Sequence, residues 1–232
     1  MLNFNDFLTE TERLIENELF KLDAEIKKFD ENKGKMPYDK AVEEVEKILK
    51  KYSDAITKTL DKFTVTMKKY TNRGKAKFIY DTKTVTSVVS KVVSRGKKLT
   101  DLGDLVRGAI LFDSQEELDE FVKNFTRKES SMITDHDHKE KGGDKTYGYY
   151  GSHHFDLNIN GLTVELQAMT KKLWKFKDNA HDIYNKTRDS GVITKADIEL
   201  SKKIFKLGNA PKFVKESSEL NEQASIWVVM ED

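Results

Sequence analysis

Residues 154–168 constrain the fold more than any other part of the sequence. They read HFDLNINGLTVELQA, in which two stretches of alternating apolar and polar residues flank Asn160-Gly161. Asn-Gly is the pair that type I′ hairpin turns prefer, because both central residues of that turn have positive φ. The segment therefore predicts a β-hairpin. In its second strand, Glu165 and Gln167 alternate with apolar residues and so share one face of the sheet.

Patterns typical of helices surround this hairpin. Residues 1–70 repeat apolar side chains at three- and four-residue spacing, which predicts two helices separated by a break at Gly34 and Pro37. The first of these helices would bury Leu14, Ile15, Leu19, Leu22, Ile26 and Phe29. The second would run as one helix from Ala41 to Leu60, antiparallel to the first. Further helices are predicted at 82–98, 115–125, 171–188 and 194–207.

Several segments read as strands in addition to the hairpin. Apolar runs predict strands at 105–113 and 224–230, and shorter pieces occur at 77–81 and near Met132. Helices and strands are thus interspersed, which predicts an α+β (α/β) fold with a mixed β-sheet of about five strands flanked by helices. Residues 1–70 would form an N-terminal helical extension, and 71–232 the main domain.

The composition excludes several classes of function. The chain has 41 Lys+Arg and 40 Asp+Glu, so overall charge does not predict binding to nucleic acid or membrane. It has no cysteine, which excludes disulfide scaffolds, thiol nucleophiles and thiolate metal sites. No apolar run approaches the roughly 18 residues of a transmembrane helix. We therefore expect a cytoplasmic protein with no membrane contact.

A basic row precedes the strand at 105–113. Lys83, Ser87 and Lys91 recur at i, i+4 and i+8, and Arg95 extends the row, so all four would share one helix face. Val85, Val88, Val89, Val92 and Val93 would face inward. Two lysines, an arginine and a hydroxyl can line a polyphosphate. The same spacing also fits an ordinary solvated face.

An acidic residue and an arginine lie at the start of that strand. Asp101 and Asp104 precede it, and Arg107 lies inside it. A carboxylate beside an arginine suits a corner that holds a metal ion and phosphate. A structural salt bridge explains the same residues.

The hairpin and the turn before it hold the other candidates. The face that carries Glu165 and Gln167 is either solvated or the floor of a cleft where Glu165 holds magnesium. Tyr149, between Gly148 and Gly151, is an aromatic side chain that can stack on a base. His153 and His154 are adjacent on a predicted strand and point to opposite faces, so they do not form one zinc site. The DHDH segment at 135–138 could bind a metal weakly in a loop, but a solvated loop is the preferred interpretation.

Four ordered motifs resemble the RelA/SpoT nucleotidyltransferases. Gly148, Tyr149 and His153 match the family's Gly-Tyr-x-x-x-His turn, and VELQAMT at 164–170 matches the strand that follows it. KTVTSVVSK resembles the family's phosphate-binding helix, and DLVRGAILFD its acidic strand. LWKFKDNAHDIYNKTR, with His181 and Tyr184, resembles the next helix. The motifs cover about residues 77–190 and are specific as an ordered set.

The resemblance implies a nucleotidyltransferase-like fold and pyrophosphate transfer from ATP to the ribose 3′-hydroxyl of GDP or GTP, making ppGpp or pppGpp and releasing AMP. Asp104 and Glu165 would hold Mg²⁺, and Glu165 would help deprotonate the hydroxyl. Tyr149 would stack on the acceptor base. Donor phosphates would be held by Lys83, Ser87, Lys91, Arg95 and Arg107, with His153, Gln167 and His181 supporting the site. The family's histidine-aspartate hydrolase domain is not matched, which implies a small, synthetase-only member.

Three further expectations accompany the resemblance. The family often has an arginine two residues before the first motif lysine, and Asp81 stands there in this chain. Small members also include toxins that modify the tRNA 3′ end or an adenosine nucleotide, so both acceptors stay open. An antitoxin partner and a homo-oligomer also stay open. A further alternative is a degenerate member that binds nucleotide without turnover. Leu8-Thr9-Glu10 resembles the cleavage site of a phage head-targeting leader, although an ordinary helix start explains the same residues.

Overall fold

A computed structural model describes residues 4–71, 76–99, 102–141, 146–190 and 192–210, with side chains outside 4–12 and 187–190. No helix in these ranges is both long enough and apolar enough to cross a membrane. The strands are β1 (Ala76–Thr82), β2 (Val106–Phe112), β3 (Ile133–His138), β4 (His153–Ile159) and β5 (Leu162–Thr170). The helices are α1 (Phe4–Asn32), α2 (Tyr38–Lys51), α3 (Ser53–Thr71), α4 (Val85–Val89), α5 (Gln115–Lys128), α6 (Lys171–Ser190) and α7 (Lys195–Gly208).

The described strands form one mixed, five-stranded sheet in the order β1-β2-β5-β4-β3. This confirms the predicted fold class and the approximate number of strands. The strand predicted at 224–230 lies outside the described residues. The chain also divides by internal contacts into two compact units whose boundaries pass through the strands. Unit 1 comprises residues up to 110, 123–136 and 155–167, and unit 2 comprises 111–122, 137–154 and 168 onward. The predicted boundary at residue 70 stays a prediction.

The Asn-Gly hairpin is confirmed. Asn160 has φ 56° and Gly161 has φ 88°, the two positive values that a type I′ turn requires. The Gly161 amide donates a hydrogen bond of 2.9 Å to the Asn158 side chain. Alternate residues of β5 are fully buried, Val164 and Leu166 among them. This register places Glu165 and Gln167 together on the opposite face.

The helical N-terminal region of unit 1 is confirmed, but its second helix is not continuous. A turn at Tyr52, with φ −106° and ψ 14°, separates α2 from α3. Ser53 then begins α3, and its hydroxyl donates to the Lys50 carbonyl at 3.0 Å, which satisfies an acceptor near the end of α2. Three helices thus stand where two were predicted. Leu14 is 60% exposed, so its predicted burial is wrong. It lies about 100° around α1 from the buried Ile15 and falls outside the narrow apolar stripe.

The predicted helix at 82–98 is shorter than expected. Its N-cap is Thr84, whose hydroxyl accepts from the Ser87 amide, so Lys83 lies before the helix and not on its face. α4 then widens into a π-helical turn over Ser90–Ser94. Val85 is 41% exposed, and its predicted inward position is wrong because it stands in the first turn, at the solvent end of the helix. Val88 and Val92 are buried as predicted.

The prediction of a loop for the DHDH segment is also wrong. The segment lies in strand β3 and not in a loop. The Thr134 hydroxyl donates to the Asp156 carbonyl at 3.0 Å, which ties β3 to the neighbouring β4. β3 lies at the edge of the sheet, where polar side chains are common because they discourage pairing with another chain. This explains why a strand can carry a sequence that resembles a loop.

Candidate active site

Asp104 lies between two lysines in unit 1. Its Oδ2 accepts a hydrogen bond of 2.5 Å from Lys83 Nζ and one of 2.7 Å from Lys91 Nζ. Asp104 stands in the turn before β2, Lys83 follows β1, and the Lys83 amide donates to the Leu105 carbonyl at 2.9 Å. Lys91 comes from the π-helical turn. The structure thus brings together three residues that two separate motifs supply.

Burial determines the electrostatics of this cluster. The side chains of Lys83, Asp104 and Lys91 are 6%, 18% and 32% exposed. Burial alone would raise the pKa of Asp104, but the hydrogen bonds from the two lysines outweigh it and lower that pKa. Burial lowers the pKa of Lys83, while Asp104 opposes this shift. Asp104 is therefore ionised at neutral pH, and its charge holds two ammonium groups side by side.

One oxygen of Asp104 is not used by this pairing. Oδ1 is buried and has no hydrogen-bond partner among the described residues. Buried carboxylate oxygens are normally satisfied, so an unused one inside a cationic cluster needs an explanation. A divalent cation takes carboxylate oxygens as ligands, and Oδ1 is free to act as one.

The other residues of the basic row lie more openly. Ser87 is exposed, and its hydroxyl accepts from the Thr84 hydroxyl at 2.9 Å. Arg95 is exposed and donates to the Ser90 hydroxyl at 3.3 Å. Neither touches the Lys83–Asp104–Lys91 cluster in a described hydrogen bond or ion pair.

A structural salt bridge within the motif would pair Arg107 with Asp104. The described ion pair of Arg107 is instead with Asp81. Its guanidinium lies 3.9 Å from the Asp81 carboxylate, and the two side chains are 46% and 65% exposed. An exposed pair at this distance contributes little to stability. Arg107 therefore remains accessible to a ligand. Asp81, which stands where the family often has an arginine, is its neighbour.

Glu165 and Gln167 lie side by side on β5. The Gln167 amide donates to Glu165 Oε1 at 3.1 Å, and both residues are partly buried. Three of the residues that alternate with them, Val164, Leu166 and Ala168, are fully buried. The carboxamide thus holds one oxygen of the carboxylate in place. A partly buried carboxylate with a fixed orientation suits a metal ligand or a base better than a fully solvated one does.

Unit 2 contains an aromatic cavity of about 210 Å³ that includes Tyr149. The Tyr149 ring lies 5.0 Å from the Phe205 ring, and Lys177 Nζ lies 5.6 Å from the Tyr149 centroid. The Ser152 hydroxyl donates to the Tyr149 hydroxyl at 2.7 Å. The cavity lining comprises Tyr147, Tyr149, Lys177, Ala180, His181, Tyr184, Ser201 and Phe205.

The predicted histidines take different positions in unit 2. His181 lines the cavity, and its Nδ1 lies 2.9 Å from the Asn185 amide nitrogen. His153 is buried and stacks on His138 with the ring centroids 4.1 Å apart. Its neighbour His154, which the motif does not include, lies 3.2 Å from the Tyr149 hydroxyl.

Sequence reasoning missed the part of the cavity that α7 supplies. Ser201 and Phe205 line it, but they lie beyond the segment that resembles the family. Lys177 lies within that segment and was also missed. Its spacing held a signal, since it precedes Ala180 and His181 by one helical turn.

Among the comparisons with known proteins, the one with solved structures found matches. No protein-family model and no curated protein matches the sequence. Among solved structures, a GTP pyrophosphokinase family protein from Streptococcus pneumoniae matches with a TM-score of 0.54 and 16% identity, over 81% of this chain and 98% of that one. The small alarmone synthetase 1 from Bacillus subtilis matches with a TM-score of 0.52 and 17% identity, over 78% of this chain and 97% of that one.

This chain has the fold of the small alarmone synthetases. A second structure of the Bacillus subtilis synthetase 1, bound to its product pppGpp, matches with a TM-score of 0.50 and 16% identity, over 81% of this chain and 98% of that chain. The fold that the four motifs implied is confirmed. At these identities the likeness shows the fold alone, so the roles of individual residues stay predictions.

Proposed function

We propose that this protein is an ATP-dependent pyrophosphokinase. It transfers the β,γ-diphosphate of ATP to the ribose 3′-hydroxyl of GDP or GTP, giving ppGpp or pppGpp and AMP. The observation that carries the proposal is the Lys83–Asp104–Lys91 cluster, which stands on a scaffold shared with small alarmone synthetases. Cations gathered around one carboxylate suit a polyphosphate with a divalent ion.

The reaction makes defined demands on the site. The 3′-oxygen forms a bond to the β-phosphorus of ATP, and the bond from that phosphorus to the α,β-bridging oxygen breaks. AMP leaves with the electron pair, and the proton of the hydroxyl goes to a base. Transfer of this kind is catalysed mainly by positioning and by stabilisation of charge, and it needs no covalent nucleophile.

The residues of unit 1 match these demands. Lys83, Lys91 and Arg107 would bind the donor phosphates and offset the negative charge that builds up as the bond to AMP breaks. Glu165, held by Gln167 at 3.1 Å, would accept the proton of the attacking hydroxyl. Ser87 and Arg95 are exposed and would contact the phosphates at the edge of the cluster.

The carboxylates fit a magnesium ion. Asp104 Oδ1 is buried and unused among the described contacts, and Glu165 offers a second hard oxygen donor. The described residues contain no group of three or more metal-ligating side chains. Mg²⁺ is commonly held by one or two carboxylates together with substrate phosphates, and Asp104 and Glu165 would serve as those carboxylates. When bound, the ion would neutralise charge on the transferred phosphates.

The cavity of unit 2 would receive the acceptor base. Tyr149 offers a ring for stacking, and Lys177 lies close to the same ring. Stacking on an aromatic ring contributes about 1–3 kcal/mol per base in nucleic-acid-binding proteins and tolerates any base. His181 would add a polar contact at the cavity wall.

The direct test mixes the protein with Mg²⁺, ATP and labelled GDP or GTP. We expect equal amounts of AMP and of a 3′-pyrophosphorylated guanosine nucleotide, and loss of both in Glu165→Gln. Glu199→Gln, a matched change at an exposed glutamate of α7, should keep full activity. No product with any guanosine acceptor would contradict the proposal. ATP binding without turnover, unchanged in Glu165→Gln, would instead indicate a nucleotide-binding protein without activity.

A second acceptor class has support from one observation. Exposed lysines follow one another along α7, and the stem of Lys202 packs against Gly148, beside Tyr149. Cations at this position would contact the phosphates of an RNA whose terminal adenosine stacks on Tyr149. Offering tRNA and free nucleotides together distinguishes the acceptors, because label appears on the RNA 3′ end only if tRNA is the substrate. A 3′-pyrophosphorylated ATP or ADP would indicate an adenosine nucleotide acceptor.

A further inference from the structure

We propose that helix α7 holds the Tyr149 turn in position, with Ser201 and Asn209 as the positioning residues for the acceptor. The proposal rests on the function proposed above, since it assigns Tyr149 to the acceptor base. α7 lies beyond the motifs that resemble the family, and those motifs give these two residues no role.

Hydrogen bonds from α7 and its C-cap reach the backbone on both sides of Tyr149. The Ser201 hydroxyl, on a fully buried residue, donates to the Tyr147 carbonyl at 2.8 Å. The Asn209 side-chain amide donates to the Tyr150 carbonyl at 3.0 Å and to the Phe205 carbonyl of its own helix at 2.9 Å. The two donors are eight residues apart and therefore fix the turn at two separate points along the helix.

The glycines of the turn permit this close approach. Gly148 and Gly151 have φ of 70° and 88°, values that glycine tolerates and L side chains rarely adopt. A Cβ at Gly148 would lie 2.6 Å from the Lys202 side chain and 3.2 Å from its Cα. A Cβ at Gly151 would lie 1.7 Å from the Asn209 side-chain oxygen. Both ends of the turn thus lie directly against α7.

Tyr149 itself completes the contact. Its ring packs against Phe205, which stands one helical turn after Ser201. Residues 147–151 therefore meet α7 by hydrogen bonds, by van der Waals contact or by ring packing. The direction of the Tyr149 ring follows from where α7 holds the backbone on either side, and not from the turn sequence alone.

Removing either donor should loosen the turn without altering the phosphate cluster. Ser201→Ala removes the hydroxyl that donates to the Tyr147 carbonyl, and Asn209→Ala removes the amide that donates to the Tyr150 carbonyl. A neutral hydrogen bond is worth about 0.5–1.5 kcal/mol, which corresponds to roughly a 2- to 13-fold change in an equilibrium constant. We expect the KM for the acceptor to rise by about this factor. The kcat at saturating acceptor and the KM for ATP should stay within about twofold of the wild type.

The test combines kinetics with hydrogen–deuterium exchange of residues 147–152. In the wild type the Gly151 amide donates to the Lys139 carbonyl at 2.8 Å and should exchange slowly. Exchange in this segment should become faster in Ser201→Ala and Asn209→Ala. It should be unchanged in Glu199→Ala, a control at an exposed position on the same helix. Ser201→Thr, which keeps the hydroxyl, should restore slow exchange and acceptor KM relative to Ser201→Ala.

Two results would overturn the proposal. One is exchange at 147–152 that is the same in both alanine variants as in the wild type. The other is an equal fall in kcat and rise of both KM values, with a lowered melting temperature, which is the pattern of general destabilisation. The exchange measurement needs no turnover, so it tests the contact with α7 even if no activity is found. If the wild type has no activity but exchange at 147–152 is still faster in the two alanine variants, the proposed function is refuted and the positioning role of α7 is kept.

Discussion

Replacement of Asp104 by asparagine tests the electrostatics of the Lys83–Asp104–Lys91 cluster. The side chain keeps its shape but loses the charge that two ammonium groups share at 2.5 and 2.7 Å. Hydrogen bonds to charged groups contribute about 1.5–3 kcal/mol each, and a neutral acceptor keeps about half of that. Lys83 is 6% exposed and bears the loss, whereas Lys91 is 32% exposed and water can replace its partner. We therefore expect the free energy of unfolding to fall by about 1 kcal/mol at pH 7.

The dependence on pH follows from the lowered pKa of Asp104. A carboxyl group whose pKa is lowered by folding stabilises the protein at pH values above its unfolded pKa, which is about 3.9. This contribution is lost as the pH falls through the lower, folded value. The difference in the free energy of unfolding between wild type and Asp104→Asn should therefore be constant from about pH 5 to 7 and shrink below about pH 4.

A double-mutant cycle in urea assigns the loss to its cause. Lys83→Met removes a cation that burial disfavours, so the free energy of unfolding of this variant should lie within about 1 kcal/mol of the wild-type value. In that background Asp104→Asn should cost clearly less than in the wild type. Asp81→Asn is the matched control, because its exposed pair with Arg107 at 3.9 Å should contribute less than about 0.5 kcal/mol. An Asp104→Asn variant as stable as the wild type, or equal losses in both backgrounds, would refute the reasoning.

Three further variants test other parts of the structure. Glu165→Gln should lower AMP release by at least about 100-fold with an unchanged melting temperature, and a variant that keeps activity would remove Glu165 from the proposed chemistry. Gly108→Ala should destabilise unit 1 by about 1–3 kcal/mol in urea, because the new methyl group would meet two phenylalanine rings, and Gly34→Ala, with open space around it, is the control. Tyr149→Ala should weaken acceptor binding in calorimetry by about tenfold while Tyr149→Phe keeps it, and equal losses in both would argue against stacking.

Much of the candidate site could be predicted because its signals are local. The alternation of β5 and the positive φ of Asn160-Gly161 depend on neighbouring residues, and they place Glu165 beside Gln167. The pairing of Asp104 could not be predicted in the same way. Its partners lie 21 and 13 residues earlier in the chain, one before α4 and one in a π-helical turn that the spacing did not reveal.

The sequence by itself determined the helical N-terminal region, the hairpin, the mixed sheet and the order of the motifs. These depend on backbone preferences and apolar periodicity over a few residues. Only the tertiary structure decided which charges pair, why Arg107 lies next to Asp81, and that α7 holds a turn 54 residues away from Ser201. The physical reason is that side-chain partners are chosen by distance in space, and a spacing pattern records only distance along the chain.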